Sequence, residues 1–552
     1  MKEKIAGTVT QAVKDLYQLK VDPALEHPKQ ESFGDYATAV ALGIAQQKQV
    51  DPFEVANEIR LKIKDRLVGP VSRIDVVEPG FLNFWLTNDA LVGAVNQVDK
   101  EREAYGSMGF GKGRTVVIDY SAPNIAKRFG VGHLRSTVIG QALYNLDKFS
   151  GYKVIGDNHI GDWGTQFGVL LYQVKSKKLN VKNLDVGKLE ELYVEFHQEV
   201  DKDPKLMEKA RAWFKKLEDG DKEARELWQS IVDISKEEFD RIYALLGIKF
   251  DETLGESFYE DKMLTVIKEV RKKGLSKKSE GAEIVEFENL PPAILVKSDG
   301  TTTYFTRDLA TIKFRIEKWD PQFITYEVGA DQKLHFQQVF ETAKKLGWGD
   351  KCYFFHVPHG LIRFAGGKMS TRRGQTVRLE DILKEAVVRA KKLTGANESI
   401  ARMVGIGSVK YFDLSHQPQT DIIFDWEKMF LMEGNSAPYL QYTYARAESV
   451  LQKAGRFSLP KQTEVGEEEQ PLLRYIYRFP EAVEVAAGSY SPNLICNYLF
   501  ELAQRFNSFY DKAPIIKADE KIRPLRLLLT SAVGQVVKNG LTILGIETPE
   551  RL

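Results

Sequence analysis

Cysteine is scarce: only Cys352 and Cys496 occur in 552 residues, far apart and in apolar surroundings. That spacing argues against a disulfide framework, a CxxC redox pair or a cysteine zinc site and points to two buried thiols. Long apolar runs are missing too. Without a stretch of about 18 uninterrupted apolar residues, no transmembrane helix is expected. The opening segment MKEKIAGTVTQAVKDLYQLK reads as a mixed-charge amphipathic helix without a signal-peptide core, so the expectation is a soluble, cytoplasmic chain. Charge of one sign is also lacking, with 78 basic against 77 acidic residues. A nucleic-acid partner would need local basic patches, not a global field. Neither an internal repeat nor a His/Cys cluster with metal-ligand spacing is visible, so no protein-bound metal is expected.

What is present centres on Asp119–Gln141, DYSAPNIAKRFGVGHLRSTVIGQ. The β-branched run Thr115–Ile118 before it suits a buried parallel strand, Pro123 and Gly130 break the chain, and helical periodicity resumes after His133. A strand–loop–helix junction offers backbone N–H groups and a positive dipole end to an anion. Lys127, Arg128 and His133 make phosphate a more natural guest than a metal. Taken alone, the loop could also be an ordinary βα connection with a few surface charges, the less favoured reading.

The length predicts three or four domains. Residues 1–105 read as α+β, with helices near the start, over Tyr36–Gln46 and after Asp51-Pro52, and strands Ile74–Val77 and Phe81–Trp85 around Pro79-Gly80. The glycine-rich YGSMGFGKGR marks a boundary. Residues 111–375 alternate strands and helices, an α/β pattern that implies a parallel sheet. Its strands are Thr115–Ile118, Tyr152–Ile155, Ala293–Val296, Phe323–Val328 and Tyr353–Val357, and a charged, mainly helical insertion with solvated faces fills about 175–285. Both α/β halves end in glycine-containing polar loops, the second being AGGKMSTRRG, which favours a split nucleotide-binding fold. Residues 376–430 read as a helical connector and 431–552 as an all-α domain.

GVGH, followed about 240 residues later by KMST, resembles the paired signatures of class I aminoacyl-tRNA synthetases. With PNIAK, NHIGDWGTQFG, YFTRDLA, KMSTRRG and NSAPYLQYTYAR in order, the chain resembles arginyl-tRNA synthetases over nearly its full length. The resemblance implies a Rossmann-type catalytic domain with a helical insertion, an amino-terminal α+β domain that binds tRNA and a carboxy-terminal all-α anticodon-binding domain. It implies L-arginine, ATP and tRNA(Arg) as substrates, Mg²⁺ arriving with ATP, no zinc, and a monomer. The ATP edge would comprise Pro123, Asn124, Ile125, Ala126, Lys127, Arg128, Phe129, Gly130, Val131, Gly132 and His133, faced by Lys368, Met369, Ser370, Arg372 and Arg373. Lys127, His133, Lys368 and Ser370 would be catalytic.

Two positions depart from the class pattern: Gly130 replaces the first histidine and Thr371 the last lysine. In arginyl enzymes a lysine preceding the first signature compensates, and Lys127 occupies that place. The departures are also the only sequence support for a noncatalytic tRNA-binding paralogue; another nucleotidyltransferase with this type of signature is the second rival. A planar guanidinium is best read by a carboxylate in bidentate geometry. Tyr304 and Asp308 are four apart and share a face if a helix begins there; the resemblance assigns both to the arginine pocket with Asn124, Gln332 and Asp119, the last at a position often Glu. Phe81, Asn83 and Phe84, and Tyr439, Tyr442, Tyr444 and Arg446, are candidate tRNA contacts, although the helical spacing of the tyrosines also suits packing.

Overall fold

The computed structural model describes residues 1–67, 69–364, 377–457 and 464–552, and Lys368, Met369, Ser370, Thr371, Arg372 and Arg373 lie outside the described residues. Two compact units are present. One comprises Met1–Tyr105, Arg446–Phe479 and Glu501–Val536; the other comprises Gly106–Ala445, Pro480–Phe500 and Val537–Leu552. The carboxy-terminal helices are thus divided between the two units.

In the first unit, helices α1 (Lys2–Tyr17), α2 (Val40–Lys48), α3 (Pro52–Ile63) and α4 (Asn88–Glu101) accompany an antiparallel sheet of β1 (Tyr36–Thr38), β2 (Val71–Val77) and β3 (Phe81–Leu86), in the order β1-β3-β2. Asp51 caps α3 by accepting from Phe53 N, as its sequence predicts. The helix expected over Tyr36–Gln46 is corrected, since its first three residues form β1 opposite Leu82–Phe84. Tertiary pairing wins there: Asp35 N donates to the Phe84 carbonyl, and the Asp35 carboxylate accepts from Leu86 N.

The second unit is built on four parallel strands, β4 (Thr115–Asp119), β5 (Lys153–Asp157), β9 (Phe323–Gly329) and β10 (Tyr353–His359), in the order β10-β9-β4-β5. Strand order reverses between β4 and β9. Such a switch point leaves a crevice beyond the strand ends. Helix α5 (Leu134–Phe149) follows the first signature, α11 (Tyr304–Trp319) precedes β9, and α12 (Lys333–Lys345) joins β9 to β10.

The insertion contains α6 (Thr165–Ser176), α7 (Val186–Val200), α8 (Leu206–Glu218), α9 (Lys222–Leu246) and α10 (Met263–Lys272). It ends in a hairpin, β6 (Ser276–Ser279) and β7 (Ala282–Val285), which pairs antiparallel with β8 (Ala293–Val296) in a separate sheet. Its faces are not all solvated. Ser235 Oγ on α9 accepts from Ala126 N at 3.0 Å, and Tyr243 Oη lies 2.8 Å from Ser121 Oγ, so α9 buttresses the signature loop. Beyond the loop, α13 (Leu379–Thr394) and α14 (Glu398–Leu414) pack together, and β11 (Ile362–Phe364) pairs in parallel with β12 (Ile422–Phe424).

Candidate active site

A cavity of about 470 Å³ opens at the ends of β4 and β9 and is lined by Asp119, Asn124, His159, Glu256, Tyr304, Asp308, Tyr326, Gln332 and His335, among others. All five residues expected at an amino-acid pocket therefore meet in one space. Tyr304 begins α11 and stands at the mouth, 64% exposed. Asp308, one turn on, accepts from or shares a proton with His335 Nε2 on α12 at 2.5 Å. Burial would raise the Asp308 carboxyl, yet the hydrogen bond and charge of His335 bring it below the ordinary value. It is a fixed anion. Glu256 behaves oppositely: burial pushes it up to about 7, although Arg307 Nη1 lies 3.6 Å away.

Asp119 is partly committed elsewhere. Its Oδ2 accepts from Arg315 Nη2 at 2.6 Å, and the same nitrogen donates to Asp157 Oδ2 at 2.8 Å, all three side chains being buried. Burial raises Asp119 in spite of Arg315. It therefore lines the cavity from a wall position backed by an ion pair. The cavity still carries three carboxylates, a setting for a cation with a planar hydrogen-bonding fork. His159, Glu256, Tyr326 and His335 were not assigned roles from sequence. Both histidines lay within NHIGDWG and GADQKLH, whereas Glu256 gave no signal because GESFY reads as insertion.

The loop after β4 is strained and pinned. Ser121, Ala122 and Ala126 have φ of 71°, 42° and 60°, a region costly for residues with a Cβ. Ser121 N donates to Ser136 Oγ at 2.9 Å, Ala122 N to Asn158 Oδ1 at 3.1 Å and Ile125 N to the Gly161 carbonyl at 3.1 Å. Gly161 must be small: a Cβ there would stand 2.2 Å from Asn124 Oδ1. Along the expected ATP edge, Pro123, Ile125, Ala126, Phe129 and Val131 are buried, so their side chains pack and only their backbone is offered. Arg128 is paired with Glu190, at 3.5 Å. Lys127 and Gly132 are exposed, and Lys127 has no hydrogen bond or ion pair among the described residues.

His133 Nδ1 accepts from Gly130 N at 3.2 Å, which leaves Nε2 as the protonated nitrogen of the neutral ring. Burial lowers its pKa, with the backbone bond opposing, so the neutral ring is favoured. The first signature is also tied to residues 377–379: Val131 N donates to the Val377 carbonyl and Leu379 N to the Phe129 carbonyl, each at 3.0 Å, with Gly130 opposite Arg378.

The candidate RNA contacts divide by burial. Asn83 and Phe84 are buried in β3 and Tyr444 is 5% exposed, so these three are corrected to packing residues, and Phe81 is half-buried. Tyr439 packs on Phe500 with ring centroids 5.8 Å apart, and Arg446 Nη1 donates to Asn507 Oδ1 at 2.6 Å. Tyr442, 37% exposed, keeps the most accessible ring of the three tyrosines.

Three family descriptions match the chain: the arginyl tRNA synthetase N-terminal domain over residues 2–86, the catalytic domain of tRNA synthetases class I (R) over 95–426, and the DALR anticodon binding domain over 440–552. It is similar to the arginine–tRNA ligase of Halothermothrix orenii, 39% identical over all of this chain and 99% of that one, and to that of Chloroflexus aggregans, 41% identical over all of this chain and 98% of that one. In fold it is similar to the arginyl-tRNA synthetases of Plasmodium falciparum (TM-score 0.86, 24% identity, covering 100% and 99% of the two chains) and Thermus thermophilus (TM-score 0.84, 23% identity, 100% of both). Catalytic-domain coverage and full-length identity agree, and the chain belongs to the arginyl-tRNA synthetases of class I.

Proposed function

We propose that the acidic cavity holds the arginine side chain and that the loop from Asn124 to His133, with Lys368, Met369, Ser370 and Arg372 of the second signature, holds ATP. The activity itself is ligation of L-arginine to tRNA(Arg) with ATP, through arginyl-adenylate, releasing pyrophosphate and then AMP. Asp308 and Tyr304 receive the guanidinium, and Glu256 adds charge as it ionises. Asn124 and Gln332 orient the amino acid. Its carboxylate oxygen then attacks the α-phosphorus as the bond to pyrophosphate breaks, and Lys127 and His133 Nε2–H stabilise the developing negative charge. The terminal ribose of the tRNA, through its 2′-hydroxyl, takes the arginyl group and AMP leaves.

The convergence of Asp119, Asn124, Tyr304, Asp308 and Gln332 on one cavity supports this reading. Retention of Lys127, His133, Asp308 and Gln332 favours it over a noncatalytic paralogue. Mg²⁺ enters on the ATP phosphates; among the described residues no group of three or more His, Cys, Asp or Glu stands ready to hold a metal. Residues 1–105 receive the tRNA body, 111–375 carry the chemistry and 431–552 receive the anticodon. The enzyme works as a cytoplasmic monomer, and no described helix is long and apolar enough to cross a membrane.

Aminoacylation of total tRNA with each labelled amino acid tests the whole scheme, with arginine alone expected to give product. Arginine activation depends on bound tRNA, so ATP–pyrophosphate exchange is expected to be negligible without it; robust exchange by enzyme and arginine alone would refute that dependence.

A further inference from the structure

Behind the nucleotide side, at the ends of β9 and β10, lies a buried polar cluster that the scheme above does not use. His359 Nδ1 lies 2.8 Å from Glu327 Oε1, and Glu327 is buried with its other oxygen unpartnered. Beside them Arg135 on α5 donates from Nε to Asp413 Oδ1 on α14 at 3.2 Å and from Nη1 to the Thr420 carbonyl at 2.5 Å. Arg135 Nη2 and Asp413 Oδ2 are buried without partners. Two carboxylates thus face one guanidinium and one imidazole. With both carboxylates ionised, a protonated His359 brings the cluster to neutrality, and a dry cluster left with net charge is costly.

The cluster joins two parts of the nucleotide half. Arg135 lies two residues beyond His133, and Ser136, its neighbour, donates from Oγ to the Glu327 carbonyl at 3.0 Å. His359 immediately precedes Gly360, the start of the segment that leads through β11 toward the second signature. That segment is gripped at its root: Gly360 N donates to the Pro418 carbonyl at 2.9 Å, Leu361 N to Asp421 Oδ1 at 2.8 Å, and a Cβ on Gly360 would stand 2.5 Å from the Thr420 carbonyl carbon. Thr420 is the residue whose carbonyl Arg135 holds.

We propose that His359 is a positioning residue for the nucleotide side of the reaction, which through Glu327 and the adjoining Arg135–Asp413 pair locks the root of the second-signature segment against the helix that carries His133. The proposal rests on the reading that the two signatures hold ATP. Burial acts to lower His359, and Glu327 and Asp413 outweigh it, so the imidazolium persists above the pH of a free histidine. The groups that face it are Glu327 from β9, Arg135 from α5, Asp413 from α14 and His356 from its own strand; His356 is itself lowered by burial and lies 3.1 Å from the Val328 carbonyl through Nε2. Because the His359 pKa is raised, its locking charge is present on the acid side and is lost as pH rises through that value.

His359→Phe, His359→Gln and Glu327→Gln, each checked for folding by thermal unfolding, are compared with wild type in tRNA-dependent ATP–pyrophosphate exchange across pH. His359→Phe is expected to raise the KM for ATP about tenfold, below the roughly hundredfold that a 1 Å misplacement can cost, with the KM for arginine within about twofold. His359→Gln, which keeps a donor for Glu327, should recover part of that loss; wild type is expected to show a KM for ATP that rises toward alkaline pH, and all three variants should lose that rise. A wild-type KM for ATP and an unaltered pH profile in His359→Gln would overturn the proposal, as would equal losses toward arginine and ATP; if His359→Phe does not fold, His359→Gln decides alone. Lys127→Ala, run alongside, separates the premise: if it leaves ATP kinetics untouched, the assignment of the signatures to ATP has failed instead.

Discussion

On the amino-acid side of the cavity the charges are already partnered: Asp308 with His335, Asp119 with Arg315 and Glu256 with Arg307. On the proposed nucleotide side Lys127 is exposed without a protein counter-ion among the described residues, and burial favours a neutral His133 ring. The difference fits what the proposed scheme asks of each half. A guanidinium has to be distinguished from other side chains, which calls for carboxylates held in fixed geometry before it arrives. A triphosphate brings charge of its own, and a cation spent on a protein carboxylate could not meet the negative charge that builds up in the transition state.

The largest separation between the halves is expected from Asp308→Asn. It should lower kcat/KM for arginine by the equivalent of about 3 to 5 kcal/mol, the range for breaking a desolvated charge contact, with the KM for ATP little changed; exchange kinetics at varied arginine measure it, and equal losses toward both substrates would erase the distinction. Lys127→Ala strikes the opposite half and should cost about 2 to 4 kcal/mol in exchange, as for other preorganised charge donors, leaving the arginine KM near wild type.

A finer test uses pH. Glu256, raised to about 7, changes from about one-tenth ionised at pH 6 to about nine-tenths at pH 8, and a cationic side chain favours the ionised form. Arginine affinity should therefore rise with pH across that window, and Glu256→Gln should flatten the rise without shifting the ATP dependence. The smallest effect lies outside the cavity. Tyr442→Ala should weaken tRNA binding by about 1 kcal/mol, the low end for one stacked base, while Tyr444→Ala should lower the melting temperature instead, because that ring is core.

Much of the fold was legible because it rests on local pattern. The β-branched Thr115–Ile118, the Asp51-Pro52 helix start and the alternation of strands with helices each depend on neighbours in sequence. Tyr36–Thr38 was misread because the strand exists only by pairing with β3, a partner about 50 residues away whose pull outweighs local helical periodicity. The buried fate of Tyr444 was hidden for a related reason: a tyrosine at helical spacing looks the same whether it faces RNA or a neighbouring helix.

By itself the sequence determined the class of chemistry, through GVGH, KMST and YFTRD in order, and it fixed Tyr304 and Asp308 one turn apart, since helical geometry alone puts them on one face. Only the tertiary structure decided which charges are free to act. It paired Arg128 with Glu190 and left Lys127 exposed, drew Asp119 to Arg315, and brought Glu256 from the charged insertion into the wall of the cavity. Those outcomes depend on burial and on partners distant in the chain, and desolvation acts on the folded surroundings of a group, not on its place in the sequence.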